Sequence, residues 1–387
     1  MRALINTVPF YGKGAGARAY TAELLKALSA SDADMEWDVL LREADLDRLG
    51  IASDRRFRRA PFWGPAAPPD LPGVRFIWRN ALDQLVAPLY GRRYDVAHYL
   101  DTYGPLVWRS PTPFVMTIHD LFPITHPEYF TPWVAHYLAA LMRAIPRASA
   151  LMAISSETAR ALTDVFGIPS DRIKVVHNGV DARFHPASQA EVASITRRYA
   201  IDEPYLLTLG AVERRKNLAR VIRAFARARR SAGLPHRLLI AGKPGWGYEE
   251  VEAAAAETDL PDAIRMLGYL PGEDIPPLIS GADALVYLSL AEGFGLPVVE
   301  GMACGAPVIT SSTAALAEVA GDAGYLVDPV DEEAITSTLI QVCQDSALRA
   351  RLREASLRRA RAFSWSHVAD AAIATYREAA ARRERAR

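Results

Sequence analysis

Glu292 and Glu300 stand eight positions apart in the string Ala291-Glu-Gly-Phe-Gly-Leu-Pro-Val-Val-Glu300. Carboxylates accept hydrogen bonds from hydroxyls. Gly293 and Gly295 let backbone amides approach a ligand closely, and a helix start favours anionic groups. Together they suit a ligand that is both hydroxyl-rich and phosphorylated, as a nucleotide-sugar is. Taken singly, either glutamate reads as a residue complementing a helix dipole. The string as a whole reads as a binding site.

A second group is basic. Gly210-Ala-Val-Glu-Arg-Arg-Lys-Asn217 carries Arg214, Arg215 and Lys216 just before a helical pattern that begins near Leu218. Arginine offers bidentate contacts and lysine a point charge, so this turn suits a diphosphate. His119 ends the apolar run Phe114-Val-Met-Thr-Ile118 and precedes Asp120. There it could reach a sugar or acceptor hydroxyl, in a positioning role rather than as a general base. Asp120 reads as a turn cap or as the group that orients His119. Gly12-Lys-Gly-Ala-Gly16 also places amides at a helix start, but Ala17 breaks the Gly-x-Gly-x-x-Gly register of a nicotinamide site.

Two Asp-x-Asp pairs read as solvated faces rather than as a cation site. Asp32 and Asp34 precede a strand, and Asp45 and Asp47 lie in a charged helical stretch. No His/Cys cluster suits a transition metal, so the expectation is neither a required metal nor a cofactor. Arg55-Arg-Phe-Arg-Arg-Ala-Pro-Phe-Trp63 alternates basic and aromatic residues. It fits peripheral contact with anionic lipid as well as it fits a solvated loop anchored by its aromatics.

Strands must place these groups. The run Ala284-Leu-Val-Tyr-Leu-Ser-Leu290 is apolar and bounded by polar residues, as a buried parallel strand is. Pro297 suits the first position of the following helix, whose first turn would hold Glu300, and Gly305 with Pro307 suits its end. Glu292 would then lie at the carboxyl end of a strand, where open α/β sheets bind ligands. Further apolar runs lie at 2–7, 37–41, 96–100, 114–118, 151–154 and 173–176, then at 205–209, 238–241, 264–267, 307–310 and 325–327. Two such sets, alternating with helical patterns, predict an α/β chain of two doubly wound domains facing a cleft. The expected division is 1–185 against 186–365, with a helical tail at 366–387.

Composition narrows the classes. A chain of 387 residues, half of them hydrophobic, can bury two cores. Formal net charge is zero, which leaves no electrostatic footprint for nucleic acid. Two cysteines, Cys304 and Cys343, cannot build a disulfide framework and fit a reducing cytosol. The first residues lack the apolar core of a signal peptide, and no apolar run reaches membrane-spanning length. A cytoplasmic protein, at most peripheral at the inner membrane face, is expected.

The glutamate string closely resembles the E-x7-E signature of the retaining GT-B glycosyltransferases of family 4. The resemblance extends to Arg215-Lys216, to Thr117-Ile-His-Asp-Leu121, and to Val176-His-Asn-Gly-Val-Asp181, where His177 stands in place of a proline. It implies that Glu292 holds sugar hydroxyls and that the stretch Gly293, Phe294, Gly295 and Leu296 holds sugar and phosphate. Glu300 would hold the ribose, and Arg215 with Lys216 the diphosphate. It also implies roles near the donor for Gly14 and Gly16, base contact by backbone around Leu270, and a last helix that crosses back onto the first domain. Many members carry an arginine where this chain has Ala211, so one implied phosphate ligand is missing there, with Arg214 and Arg215 the candidates to compensate.

The implied mechanism is a front-face transfer in which the leaving diphosphate takes the acceptor proton, so no enzymic nucleophile is required. The resemblance favours bacterial polysaccharide mannosyltransferases, with GDP-mannose as donor and UDP-sugars as the alternative. The acceptor would be a hydroxyl on a glycan, a lipid-linked glycan or a small molecule. The rival readings are a nucleotide-sugar epimerase or hydrolase of the same fold, and a two-domain protein that only binds sugar.

Overall fold

The computed structural model describes residues 1–7, 15–41, 43–60, 93–103, 112–260 and 262–385. It divides into two compact units, Met1–Gly179 with Ser364–Arg387, and Val180–Phe363.

In the first unit, β1 (Arg2–Asn6), β2 (Glu36–Val39), β3 (Phe57–Arg59), β4 (Val96–Tyr99), β5 (Phe114–Ile118), β6 (Ala150–Ala153) and β7 (Ile173–Val175) form a sheet of order β3-β2-β1-β4-β5-β6-β7. Every pairing is parallel; Ile5 lies opposite Val39 on one side and His98 on the other. Such strands are covered on both faces, which explains their unbroken apolar runs. The order reverses between β1 and β4, so the carboxyl ends of these strands and of β5 form the ligand edge of this sheet.

The helix Ala15–Ala30 packs against the last helix, Trp365–Arg385. Tyr20, Leu24, Leu25 and Leu28 share one core with Trp365, Val368, Ala372 and Tyr376. Inside it, the Tyr376 hydroxyl lies 2.6 Å from His98 Nδ1, and His98 Nε2 lies 2.9 Å from Thr117 Oγ1. The Tyr20 hydroxyl closes the chain, 3.0 Å from Thr117 Oγ1. Burial pushes His98 down to about 3. The neutral ring therefore carries one donor and one acceptor nitrogen, and each has a partner.

In the second unit, β8 (Tyr205–Leu209), β9 (Arg237–Ala241), β10 (Ile264–Gly268), β11 (Ala284–Tyr287), β12 (Val308–Ser311) and β13 (Gly324–Val327) run in the order β10-β9-β8-β11-β12-β13. This is a doubly wound order with its switch point between β8 and β11. Among the described residues no helix is long and apolar enough to cross a membrane.

Four expectations need correction. The division falls at 179/180 and 363/364 rather than at 185/186 and 365/366. Val180 N donates to Phe363 O at 3.1 Å and Ala187 N to Ser280 Oγ at 3.0 Å, which ties this stretch to the second unit. Trp365 instead packs on Tyr20, with ring centres 5.4 Å apart. The basic segment from Arg55 contains β3: Phe57 stacks on Trp37 at 5.0 Å, and Arg56 is held by Asp54 and by carbonyls of Ser29, Ser31 and Ala33. Residues 61–63 of that segment lie outside the described residues. Asp45 is not on a solvated face but buried, 2% exposed. Glu300 lies in the second turn of the helix Leu296–Ala303 rather than in its first.

The buried chain through His98 makes a prediction. Tyr376→Phe keeps the ring and leaves His98 Nδ1 without its partner, at a cost of about 1–3 kcal/mol. A lowered urea midpoint with an unchanged slope is expected; an unchanged midpoint would show that the hydroxyl contributes nothing.

Candidate active site

The chemistry of the second unit gathers at the carboxyl ends of β8 and β11. These strands are neighbours, with Ala284 opposite Leu206 and Leu285 opposite Leu207. β8 continues through Gly210 into a 3-10 turn, Arg214–Lys216. Asn217 ends that turn in the left-handed region, φ 61°, and its side-chain amide donates to Leu288 O at 3.1 Å and Pro329 O at 2.6 Å. Leu290 N donates to Arg215 O at 2.8 Å. The basic turn is thereby fixed to the loop after β11, and Lys216 is buried there.

Three donors converge on one oxygen. Glu292 Oε1 receives Lys216 Nζ, Arg215 Nη1 at 2.8 Å and the Tyr287 hydroxyl at 2.9 Å. Lys216 Nζ also donates to the Tyr287 hydroxyl and lies 4.6 Å from that ring's centre. Burial pushes the Glu292 carboxyl up, but Lys216 and Arg215 outweigh it and hold the group at about 2. Burial draws Lys216 below its ordinary value, against the pull of Glu292. Arg215 also reaches Glu213, Nε to Oε2 at 3.1 Å.

Gly293 and Phe294 form a bend before the helix Leu296–Ala303. Gly295 has φ 107°, and a Cβ there would come 2.4 Å from Leu316 Cδ2. Glycine is required at that point, and the helix N-terminus stays bare. Phe294 is buried, edge-on to Phe363 at 5.8 Å. On the helix, burial pushes Glu300 up to about 7, with Arg183 opposing and Asp181 adding to the rise. Asp181 and Arg183 pair with each other, Nε to Oδ2 at 3.3 Å. Cys304 caps the helix; burial pushes its thiol up to about 12, as for a packing residue rather than a nucleophile.

In the first unit, His119 follows β5 and its Nε2 lies 3.0 Å from Leu100 O. A carbonyl only accepts, so Nε2 carries hydrogen and, in the neutral ring, Nδ1 presents a lone pair. Tyr20 packs edge-on at 5.0 Å, and His119 N donates to Thr102 Oγ1 at 3.0 Å. Burial raises Asp101, at the end of β4, against the pull of His119. This edge therefore combines a hydroxyl acceptor with carboxylates at Asp101 and Asp120.

Residues 14–184 match the family described as Glycosyltransferase Family 4, and residues 194–359 match Glycosyl transferases group 1. The chain is a family 4 glycosyltransferase of the GT-B fold. It is 28% identical over 388 residues to the O-antigen chain mannosyltransferase B of Escherichia coli, an alignment covering 97% of this chain and 100% of that protein. With the D-inositol 3-phosphate glycosyltransferase of Salinispora arenicola it shares 27% over 408 residues, covering 97% and 91%. The crystal structure of HepE from Anabaena in complex with UDP and glucose superposes with a TM-score of 0.74 at 18% identity, covering 97% and 99%. WaaG, a glycosyltransferase involved in lipopolysaccharide biosynthesis, gives 0.72 at 16%, covering 96% and 98%.

Within this glycosyltransferase the structure brings Arg215, Lys216 and Glu292 into contact, and places Gly293 to Leu296 and Glu300 on the segment that follows. Leu270 is buried after β10. Gly16 lies in the first turn of Ala15–Ala30, and Gly14 lies outside the described residues. Arg214 turns away to Glu250, its guanidinium 5.5 Å from the Trp246 ring centre, whereas Arg215 reaches Glu292. Tyr287, Arg183 and Asp101 were missed. Tyr287 hides in an apolar run, and only the neighbouring Asp181 hinted at Arg183. Among the described residues no group of three or more His, Cys, Asp or Glu could hold a metal ion.

Glu300 supplies a pH test. Its folded value, about 7, lies above the ordinary 4.5, so the folded protein keeps this proton longer than the unfolded chain. The stabilising contribution is full below about 4.5 and is lost as pH rises through about 7. Glu300→Gln should flatten that part of the stability profile, read from denaturant midpoints across the range. An identical profile in the variant would remove Glu300 as its source.

Proposed function

We propose that the chain transfers a hexose with retention from a nucleotide-sugar, GDP-mannose favoured, to a hydroxyl of a glycan or lipid-linked glycan. The observation that carries this reading is the Lys216–Arg215–Glu292 cluster at the switch point of the second sheet. The donor's diphosphate would meet Arg215, Lys216 and the bare helix start at Gly295 and Leu296, which stabilise negative charge as it develops on the leaving group. Those cations would neutralise the diphosphate without a divalent ion, so activity without added metal is part of the proposal. Glu292 Oε2 takes none of the three donors that crowd Oε1 and would accept hydroxyls of the sugar. Glu300 would accept the ribose hydroxyls. His119 Nδ1 would orient a hydroxyl in the first unit. The mannosyltransferase relative supports the donor choice.

UDP-sugars are the second reading, favoured by the fold's likeness to HepE in complex with UDP and glucose. A panel of nucleotide-sugars screened by thermal unfolding decides between them. GDP-mannose at a hundred times its Kd should add about 2.7 kcal/mol of stability. Stabilisation by a UDP-sugar alone would reverse the choice of donor.

The cluster predicts how Glu292 fails. Glu292→Gln should lower turnover by about a hundredfold or more, the scale of one lost electrostatic contact in a transition state. Nucleoside-diphosphate affinity should hold or tighten, because the amide no longer competes for Arg215 and Lys216. Turnover at the wild-type rate would take Glu292 out of the reaction.

A further inference from the structure

We propose that the aromatic surface following His119 in the first unit is a glycan-holding platform, on which successive sugar rings of a saccharide acceptor stack. The inference rests on the acceptor being a glycan, as proposed above, and assigns residues that the transfer chemistry leaves unused.

The segment Leu121 to Leu141 contains Phe122, Tyr129, Phe130, Trp133 and Tyr137, and its one formal charge is Glu128. Its helix Pro132–Leu141 buries Ala135, Leu138 and Leu141. The opposite face turns Trp133 outward at 63% exposure. The Trp133 and Tyr137 rings lie parallel, 2° apart in plane with centres 5.5 Å apart. Trp133 is exposed and Tyr137 beside it is half-buried, so this pair presents apolar ring surface to solvent.

The rings continue back toward the site. Phe122 meets His126 edge-on at 5.4 Å, and His126 stacks on Tyr129 at 5.4 Å and 26°. Phe122 N donates to Asp120 Oδ1 at 3.1 Å, so the series starts three residues from His119. The short helices Phe122–Thr125 and Pro127–Tyr129 both pack against Pro132–Leu141, which makes one surface of the three.

Charge and shape select the occupant. No Lys or Arg occurs between Arg109 and Arg143, so this segment itself offers no cation to a phosphate or an anionic lipid headgroup. A neutral pyranose complements it instead. One face of the sugar is a flat array of C–H bonds, weakly positive, and it seats on the negative face of an aromatic ring. The hydroxyls at the sugar's rim stay toward water and polar edges such as the exposed His136. A polymer of such rings has the repeated flat faces that a line of aromatics can hold.

The test uses the full chain, its best donor from the nucleotide-sugar panel, and linear α-linked mannose oligosaccharides of increasing length as acceptors. Wild-type KM should fall as the acceptor lengthens. In Trp133→Ala the ratio of short-acceptor KM to long-acceptor KM should drop by about three- to tenfold, the scale of one stacking contact. Trp133→Phe should restore most of it. Trp133 is exposed, so melting temperature should stay near wild type in both variants.

An unchanged ratio overturns the platform. So does loss of binding to phosphatidylglycerol vesicles in Trp133→Ala with an unchanged ratio, which would make the surface a membrane contact. If the wild type transfers sugar to none of the oligosaccharides, the acceptor reading fails, and fluorescence titration without donor tests the platform alone. Length-dependent quenching that Trp133→Ala removes would sustain it, and absence of quenching would overturn it.

Discussion

One carboxylate oxygen holds the charged cluster of the second unit together. Glu292 Oε1 accepts from Lys216, Arg215 and Tyr287, although the two cations come from a turn more than seventy residues away in sequence. They meet because β8 and β11 are adjacent at the switch point of the sheet. Burying charges is costly unless each is paired and hydrogen-bonded, and here the shared oxygen gives both cations a partner. Both cations are held in place before any ligand is present, which is a preorganised arrangement for negative charge.

The aim is set by neutral groups around the charges. Asn217 takes a left-handed conformation that would be unfavourable for most side chains, and its buried amide bridges the loops after β11 and β13. That bridge fixes the end of the basic turn next to Lys216. Behind it, a Cβ on Gly242 would come 1.8 Å from Gly210 O, so the loops after β8 and β9 approach more closely than any larger residue permits. Val212 and Pro244 form a parallel bridge just beyond. The cations therefore stand on a floor of fixed backbone rather than on a free loop.

Local patterns were legible in the sequence, and partnerships were not. Unbroken apolar runs located twelve strands, because parallel strands are buried on both faces and announce themselves by composition. β3 escaped because three residues, two of them arginine, carry no such run; what makes them a strand is the partner β2 and the stacking of Phe57 on Trp37. Asp45 looked solvated because a seven-residue helix is too short to show which face it buries. The glutamates and the basic turn stood out by type and spacing, but nothing in one dimension pairs Glu292 with Arg215, or sets Arg183 against Glu300. The division between the units was read six residues late for a similar reason. The stretch after Gly179 resembles a linker until its hydrogen bonds to Phe363 and Ser280 are seen.

The first unit depends on a segment encoded at the far end of the chain. His119 is oriented by Leu100 O and by the edge of Tyr20. Tyr20 is held through Thr117 and His98 to the Tyr376 hydroxyl, and its ring packs on Trp365. Both of those residues lie on the last helix. Burial keeps His98 neutral, so either direction of hydrogen bonding along this chain leaves every member paired, provided Tyr376 is present. Cutting the protein after the second unit would leave a buried imidazole nitrogen unpaired and remove one wall of the Tyr20 pocket. The ring that supports His119 would then lose its own support. A first unit without the last helix is thus an incomplete fold with a misplaced histidine, and the return of the chain to its starting unit is a condition of the site.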